Sequence, residues 1–347
     1  MAFHVPRVDI SAYVNGGTDE DRAAVARAID EACRTVGFMQ IVGHGVPDDV
    51  IRSMTESIDQ FFALDLDQKK SYRTPPSINR GYSPPKSESL SLSLGVESAN
   101  RMNDFFEAFN VGATAASYPE AVGLPENDYA ENVWPAIDGF ESHIWTYFTE
   151  TARVARTMTR IFADALGVEE DYFAARAGHS LDVLRMNNYA LPPGTDVTLD
   201  GDLTGMGEHT DFGIVTILWA DQVRGLQVLG SDGGWHDVAP DDDAFLVNLG
   251  DVTARLTNEQ WMSTLHRVKP PVINGTIERR RSVAFFHDGD VDAVIDTLPA
   301  FIDDAHPRIY DPVTIGEHIT AKLAGSRAGV RNERAERESA RVLSSQR

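Results

Sequence analysis

Cysteine is almost absent from this chain of 347 residues, in which Cys33 is the only one. A single cysteine excludes an internal disulfide framework and a zinc site built from several thiolates, and it fits a reducing compartment. Cys33 lies on the apolar stripe of a predicted helix with Ile29 and Val36. This pattern is typical of a small buried side chain rather than of a reactive thiol.

Positive charge and long apolar runs are also scarce. The chain has 31 Lys and Arg against 53 Asp and Glu, which gives a formal net charge of −22. So acidic a protein repels phosphate backbones and anionic lipid surfaces, and we expect neither nucleic acid nor a membrane as a partner. The sequence has no stretch of about 18 consecutive apolar residues and no signal-peptide pattern. We therefore expect a soluble cytoplasmic protein, whose oligomeric state the sequence does not indicate.

Helix and strand signals alternate in the first third of the chain. Thr18 and Asp21 form the capping-box start of a predicted helix, and Gly37 is placed to end it. Residues 74–102 are rich in Pro, Ser and Gly and predict a loop long enough to have a function. Apolar residues at helical spacing then predict a long helix over residues 135–166.

After residue 180 the pattern changes to short apolar runs between Gly, Pro and Asp clusters, which is typical of an all-β sandwich or barrel. These runs cover residues 181–189, 212–220, 225–229, 244–249 and 282–287. We expect an N-terminal helix and strand region, residues 1–120, to form one structural unit with a core of residues 121–324. Residues 325–347 are polar with almost no apolar periodicity, and this predicts a disordered tail or a frayed helix.

Metal-binding residue types occur at a suitable spacing in this second half. His209 and Asp211 are two residues apart just before a predicted strand, and on an extended chain such residues project to the same side. His266 supplies a second imidazole on another extended segment. Two His and one carboxylate with open positions suit non-haem Fe(II), and zinc catalysis also uses this set. The three residue types alone therefore do not choose the metal.

A basic residue and a hydroxyl follow downstream. Arg280 and Ser282 have the spacing that places a guanidinium and a hydroxyl on the same strand face. Together they form a suitable clamp for a carboxylate. Such a clamp is useful beside an iron ion that is chelated by a keto acid.

Several motifs in order resemble the Fe(II)/2-oxoglutarate-dependent oxygenases of the isopenicillin N synthase-like family. They are His209-Thr210-Asp211-Phe212-Gly213, Gly225-Leu226-Gln227-Val228, Val247-Asn248-Leu249-Gly250-Asp251, Thr257-Asn258, residues 263–268, Arg280-x-Ser282 and Arg185-Met186-Asn187-Asn188-Tyr189. The resemblance covers roughly residues 5 to 322. It implies an α+β fold, with a double-stranded β-helix, or jelly roll, as its core and flanking N-terminal helices.

The resemblance also implies a role for individual residues. His209, Asp211 and His266 would bind iron as the catalytic metal ligands. Arg280 and Ser282 would hold the distal carboxylate of the cosubstrate 2-oxoglutarate, with Tyr189 adding a hydroxyl bond and Asn187 close by. The implied activity consumes O2 and 2-oxoglutarate, releases succinate and CO2, and hydroxylates, desaturates or cyclises a small molecule.

The substrate is the least specified part of this hypothesis. The resemblance places Tyr82, Phe109, Phe212 and Phe286 near the mouth or wall of the pocket, where they would form an aromatic lining suited to a specialised metabolite. Three alternatives stay open at this point. They are a 2-oxoglutarate-independent iron oxidase of the same fold, a non-enzymatic jelly roll that binds a small ligand, and a metallohydrolase.

Overall fold

A computed structural model describes residues 3–94, 104–190, 205–269, 272–273 and 276–328. Its seven α-helices are α1 (Ser11–Val14), α2 (Asp19–Thr35), α3 (Asp48–Phe62), α4 (Leu66–Lys70), α5 (Phe140–Leu166), α6 (Asp251–Leu256) and α7 (Ile315–Ala328). Its strands are β1 (Arg7–Asp9), β2 (Phe38–Val42), β3 (Gly81–Ser83), β4 (Glu107–Gly112), β5 (Val183–Tyr189), β6 (Met206–His209), β7 (Val215–Ala220), β8 (Leu226–Leu229), β9 (Trp235–Asp237), β10 (Phe245–Leu249), β11 (His266–Val268), β12 (Val272–Ile273), β13 (Thr276–Ile277), β14 (Arg280–His287), β15 (Val294–Ile295) and β16 (Val313–Thr314). None of the helices in these ranges is both long and apolar enough to cross a membrane.

Two sheets form the jelly-roll core. The larger has eight strands in the order β1-β2-β10-β7-β14-β5-β4-β3, and the smaller has four in the order β6-β11-β8-β9. Their strand pairs are antiparallel except for β1 with β2. Side chains of both sheets line one cavity, so the sheets face each other across it. The predicted α+β class with a double-stranded β-helix is confirmed.

The long helix α5 supports the larger sheet from outside the cavity. It packs against α2 and α3 and against strands β7 and β14. Its first residue is Phe140 rather than 135, because Gly139 has a φ of +75° that no helical residue adopts. Gly167, with a φ of +65°, ends the helix where the sequence predicts.

The predicted start and end of α2 are confirmed. Thr18 Oγ1 accepts a hydrogen bond from the Asp21 backbone, and the Asp21 carboxylate accepts one from the Thr18 backbone. Gly37 follows the helix in the left-handed region, with a φ of +71°. Cys33 is fully buried in the core, as its position on the apolar stripe predicts.

The sequence predicts a disordered tail or a frayed helix from residue 325. Residues 325–328 form the last turn of α7, whereas residues 329–347 lie outside the described residues. The helix continues because it packs closely on residues 89–92 of the predicted loop. The backbone N–H of Ser89 donates to the carbonyl of Ser326, and a Cβ on Gly325 would lie 2.6 Å from the carbonyl oxygen of Leu92. Gly325 and Ser326 allow this close approach because they are small. The segment is also polar, and a polar composition is typical of a disordered tail.

The predicted loop over residues 74–102 contains two short elements. Strand β3 joins the edge of the larger sheet, and a 3-10 turn covers Leu90–Leu94 and packs against α7. Residues 95–102 lie outside the described part of the chain.

Candidate metal centre and adjoining cavity

Three side chains with metal-binding atoms meet at one end of the smaller sheet. His209 ends β6, His266 begins β11, and the two are directly opposite in this antiparallel pair, with ring centroids 4.2 Å apart. Oδ1 of Asp211 lies 3.9 Å from Nε2 of His209 and 3.7 Å from Nε2 of His266. All three residues are buried, and their ligand atoms are close enough to contact one ion.

Hydrogen bonds orient both imidazole rings. Nδ1 of His209 lies 2.8 Å from the carbonyl oxygen of Gly207. Nδ1 of His266 lies 3.0 Å from the carbonyl oxygen of Thr264. Because a carbonyl oxygen only accepts hydrogen bonds, the proton of each neutral ring belongs on Nδ1. Each Nε2 then presents a lone pair toward Asp211.

The carboxylate of Asp211 is held through its other oxygen. Oδ2 accepts hydrogen bonds from the Thr216 hydroxyl at 2.5 Å and from the Asn248 amide at 2.6 Å. These two donors come from neighbouring strands, β7 and β10, of the larger sheet. Oδ1 is therefore the oxygen that faces the two histidines.

The charge state of the site also suits a cation. Burial, and then the neighbouring imidazole of His266, lower the pKa of His209 to about 3. This ring is neutral at physiological pH and can donate its lone pair. Two imidazole nitrogens and one carboxylate oxygen are the donor set that non-haem Fe(II) enzymes use. The donor set therefore fits Fe(II).

A second group of predicted site residues lies on β14 and β5. Arg280 pairs with Tyr189, and Ser282 pairs with Asn187, across these antiparallel strands. The Arg280 guanidinium lies 5.3 Å from the centre of the Tyr189 ring. Asn187 Nδ2 donates to Ser282 Oγ at 3.4 Å. The four residues thus form one patch.

Two nitrogens of the Arg280 guanidinium have no acceptor in the part of the chain that the structure describes. The residue is 2% exposed, and its Nε and Nη1 atoms are buried without a hydrogen-bond partner among the described residues. A buried, unpaired cation is costly, and an anionic ligand removes that cost. The patch therefore fits one carboxylate of a dicarboxylic acid such as 2-oxoglutarate.

One cavity connects the three metal-binding side chains with the Arg280 patch. Its wall includes Phe212 and Phe286 together with apolar residues of both sheets and of α7. Among these apolar residues are Phe38, Leu90, Leu218, Leu226, Ile319 and Leu323. The wall is mainly apolar between its charged ends.

Two predicted cavity residues are placed elsewhere. Tyr82 and Phe109 pair with each other on β3 and β4, but their side chains point into the core under the sheet. The ring of Phe109 lies 4.5 Å from that of Phe61 on α3, and the Tyr82 hydroxyl donates to Glu107 at 2.6 Å. Successive residues of a strand face opposite sides, so Asn110, and not Phe109, lines the cavity.

The structure adds a cluster of charged cavity residues that sequence reasoning missed. Arg185, Glu88 and Arg327 are buried at one end of the cavity. Arg185 precedes Asn187 and Tyr189 on the same face of β5. Because alternate residues of a strand face the same side, its spacing from these two predicted site residues could have identified it. Glu88 and Arg327 lie in the predicted loop and the predicted tail, where no local pattern marks them.

Two family profiles match the chain. The one described as "non-haem dioxygenase in morphine synthesis N-terminal" matches residues 5–137, and that of the "2OG-Fe(II) oxygenase superfamily" matches residues 181–289. The second match contains His209, Asp211, His266, Arg280 and Ser282.

Curated relatives align over most of the chain. Clavatol oxidase of Penicillium crustosum is 31% identical over 94% of this chain and 98% of its own length. Gibberellin 20 oxidase 3 of Oryza sativa subsp. japonica is 32% identical over 91% of this chain and 80% of its own length.

A solved structure has the same fold. A full-length Neurospora crassa protein in complex with alpha-KG and thymine superimposes with a TM-score of 0.78. It is 26% identical in sequence, and the match covers 92% of this chain and 96% of the Neurospora chain.

Proposed function

Because this chain belongs to the 2OG-Fe(II) oxygenase superfamily, we propose that His209, Asp211 and His266 hold its Fe(II) ion. The protein is an Fe(II)- and 2-oxoglutarate-dependent dioxygenase that acts on a small molecule. The observation that supports the assignment of ligands is the convergence of two Nε2 atoms and one carboxylate oxygen within 4.8 Å of one another.

Arg280 is proposed as the anchor of 2-oxoglutarate. Its unpaired guanidinium binds the distal carboxylate, and the Ser282 hydroxyl adds a second hydrogen bond. Tyr189 and Asn187 complete the patch from the opposite strand. This clamp is the feature that favours a 2-oxoglutarate-dependent enzyme over an oxidase that needs no keto acid.

The protein residues position the substrate and the metal ligands, and they exclude bulk water from the site. When bound, Fe(II) with 2-oxoglutarate and O2 supplies the oxidising chemistry, which releases succinate and CO2. Phe212 and Phe286 hold the substrate against this end of the cavity and keep bulk water from it. Thr216 and Asn248 keep the Asp211 carboxylate in one orientation throughout.

The proposed substrate is a specialised metabolite that is hydroxylated, desaturated or cyclised. The apolar cavity wall supports an organic molecule with a largely apolar body. The curated relatives include an enzyme named for clavatol and one named for gibberellin. A cytoplasmic location and the absence of nucleic-acid and membrane partners stay predictions.

Paired variants test the two assignments separately. In anaerobic calorimetric titrations we expect Asp211→Ala to lose Fe(II) binding, while the exposed-site control Asp59→Ala retains it. Arg280→Gln is expected to bind Fe(II) but to bind 2-oxoglutarate at least tenfold more weakly, whereas its neighbour variant Arg279→Gln binds both. Full Fe(II) affinity in Asp211→Ala, or full 2-oxoglutarate affinity in Arg280→Gln, would refute the corresponding assignment.

A further inference from the structure

A buried cluster of three charged residues lies at one end of the cavity. Nη2 of Arg185, on β5, donates to Oε2 of Glu88 at 2.8 Å. Oε1 of the same carboxylate lies 3.8 Å from Nε of Arg327, in the last turn of α7. The exposed side-chain fractions are 11% for Arg185, 4% for Glu88 and 11% for Arg327. The cluster thus joins a core strand, the loop before the 3-10 turn and the C-terminal helix.

The two guanidinium groups are only partly satisfied by Glu88. The separation of 3.8 Å between Arg327 and Glu88 is too long for a hydrogen bond, and Glu88 Oε1 is buried without any such partner among the described residues. Arg327 donates one hydrogen bond, from Nη1 to the carbonyl oxygen of Ile78 at 3.1 Å. Both arginines line the cavity.

The cavity as a whole has an excess of positive charge. An Fe(II) ion, the Asp211 carboxylate, the Arg280 guanidinium and the 2-oxoglutarate dianion together are neutral. The two guanidinium groups of the cluster then face one carboxylate, which leaves one positive charge unbalanced. A buried charge without a counterion is unfavourable, so a monoanion would be strongly preferred there.

Two further buried acids do not remove this excess. Asp104 accepts hydrogen bonds at 2.8 Å from the backbone N–H groups of Leu90 and Gly207, and it is not among the cavity-lining residues. Burial raises the pKa of Asp104 to about 7, so its negative charge cancels the excess only in part at neutral pH. Asp288 does line the cavity, but burial and then the neighbouring Asp182 raise its pKa well above the usual range.

We propose that Arg185 and Arg327 bind a carboxylate of the substrate, and that Glu88 holds the two guanidinium groups in position for it. This inference rests on the proposed function. A monoanionic carboxylate suits an excess of at most one positive charge, whereas a phosphate dianion would reverse its sign. Leu90, Ile319 and Leu323 line the same cavity, so the substrate is an organic acid with an apolar body.

The cluster is separate from the cosubstrate clamp, although both use β5. Residues 185 and 189 are four positions apart along the strand, which corresponds to about 13 Å between their backbones at roughly 3.3 Å per residue. Asn187 lies between them and connects both ends, because its Oδ1 accepts from Arg185 at 3.2 Å and its Nδ2 donates to Ser282 at 3.4 Å. One 2-oxoglutarate molecule held by Arg280 therefore leaves the Arg185 and Arg327 pair available.

The test compares acids with their neutral analogues. The full-length protein, loaded with Mn(II) and 2-oxoglutarate, is titrated with phenylacetic, cinnamic and decanoic acids and with the primary amide of each. Affinity is followed by the shift in the thermal unfolding midpoint. We expect at least one acid to bind tenfold or more tightly than its amide. The absence of any difference between acids and amides, or a preference for the amides, would overturn the inference.

Variants locate the effect. Arg327→Gln and Arg185→Gln are each expected to reduce the preference for the acid at least tenfold, and Arg327→Lys to keep part of it because the charge remains. The control Arg279→Gln, at an exposed residue just before β14, should show the wild-type preference. Binding of 2-oxoglutarate by each variant shows that its site is folded. A preference that persists in both glutamine variants would overturn the inference, whereas failure of the wild type to bind 2-oxoglutarate would instead contradict the proposed function.

Discussion

Asn248 and Asp211 are joined by a hydrogen bond of 2.6 Å from the amide Nδ2 to the carboxylate Oδ2. Asn248 belongs to β10, a strand of the larger sheet, whereas Asp211 follows the last strand residue of β6 in the smaller one. The bond therefore joins a strand of the larger sheet to the segment between β6 and β7. It turns Oδ1 of the carboxylate toward the two histidine rings. Asn248 therefore orients a proposed metal ligand but is not itself a ligand.

Replacing Asn248 with alanine should weaken metal binding. The Asp211 carboxylate would lose one of its two orienting donors and sample other rotamers, for which we expect about a tenfold to hundredfold loss of Fe(II) affinity. Anaerobic calorimetric titration with Fe(II) measures this. Asn110→Ala is the matched control, because Asn110 is also buried and lines the cavity but donates to Asn79 instead of a ligand. Equal affinity in Asn248→Ala and wild type would contradict the positioning role.

The stability of the metal-free protein should depend on pH through His209. Burial and the adjacent His266 lower the pKa of His209 to about 3, whereas an unfolded chain has a histidine pKa of about 6.5. The unfolded state therefore binds more protons between these values, and the free energy of unfolding falls as the pH drops below about 6.5. We expect a loss on the order of 3 kcal/mol at pH 4 from this group.

Urea unfolding of metal-free wild type and His209→Gln at pH 7, 5.5 and 4 isolates that contribution. Titrating groups that do not interact with His209 act alike in both proteins, so the difference between the two pH dependences reports His209 together with its interactions with His266 and Asp211. The wild type should lose more stability than the variant over this range. Parallel pH dependences would show that His209 has an ordinary pKa in the folded protein.

The proposed ligand residues could be named from the sequence because their signals are local. His209 and Asp211 are two residues apart, Arg280 and Ser282 are two residues apart, and a strand places each pair on one side. The residues alone offer His266 as a second imidazole on an extended segment, and the resemblance to a family adds its role beside His209, because their pairing joins distant segments.

The remainder of the cavity depends on contacts that no local pattern records. The sequence places an aromatic residue on β4 but does not decide which strand face is apolar core, because β4 is buried on both faces. The prediction for Phe109 is wrong for this reason. Glu88 and Arg327 come together only through the packing of α7 on the loop of residues 85–94.

Truncating the two phenylalanines should separate stability from activity. Phe109 is fully buried against Phe61 and Phe140, so Phe109→Ala is expected to lower the free energy of unfolding by about 3–5 kcal/mol. Phe286 lines the cavity and is only partly buried, so Phe286→Ala should cost about 1 kcal/mol or less and mainly reduce substrate-dependent succinate formation. Urea unfolding and succinate assays on both variants test this contrast. A larger loss of stability in Phe286→Ala than in Phe109→Ala would contradict the assignment of Phe109 to the core.

Lys322 should be the main attachment of α7 to the core. Its Nζ lies 2.7 Å from Oδ2 of Asp251, and both side chains are almost fully buried. Burial disfavours the Asp251 carboxylate, but the Lys322 ammonium and His318 hold the pKa of Asp251 well below its usual range. Removing one partner of a buried ion pair leaves the other charge uncompensated, so Lys322→Ala is expected to cost about 3–5 kcal/mol. Hydrogen exchange should accelerate over residues 315–328 in this variant, while α5 stays protected.

Lys70→Ala, which removes an exposed ion pair with Asp67, is the control and should change stability by less than about 0.5 kcal/mol. If Lys322→Ala resembles Lys70→Ala in both measurements, the ion pair of Lys322 with Asp251 is not the main attachment of α7.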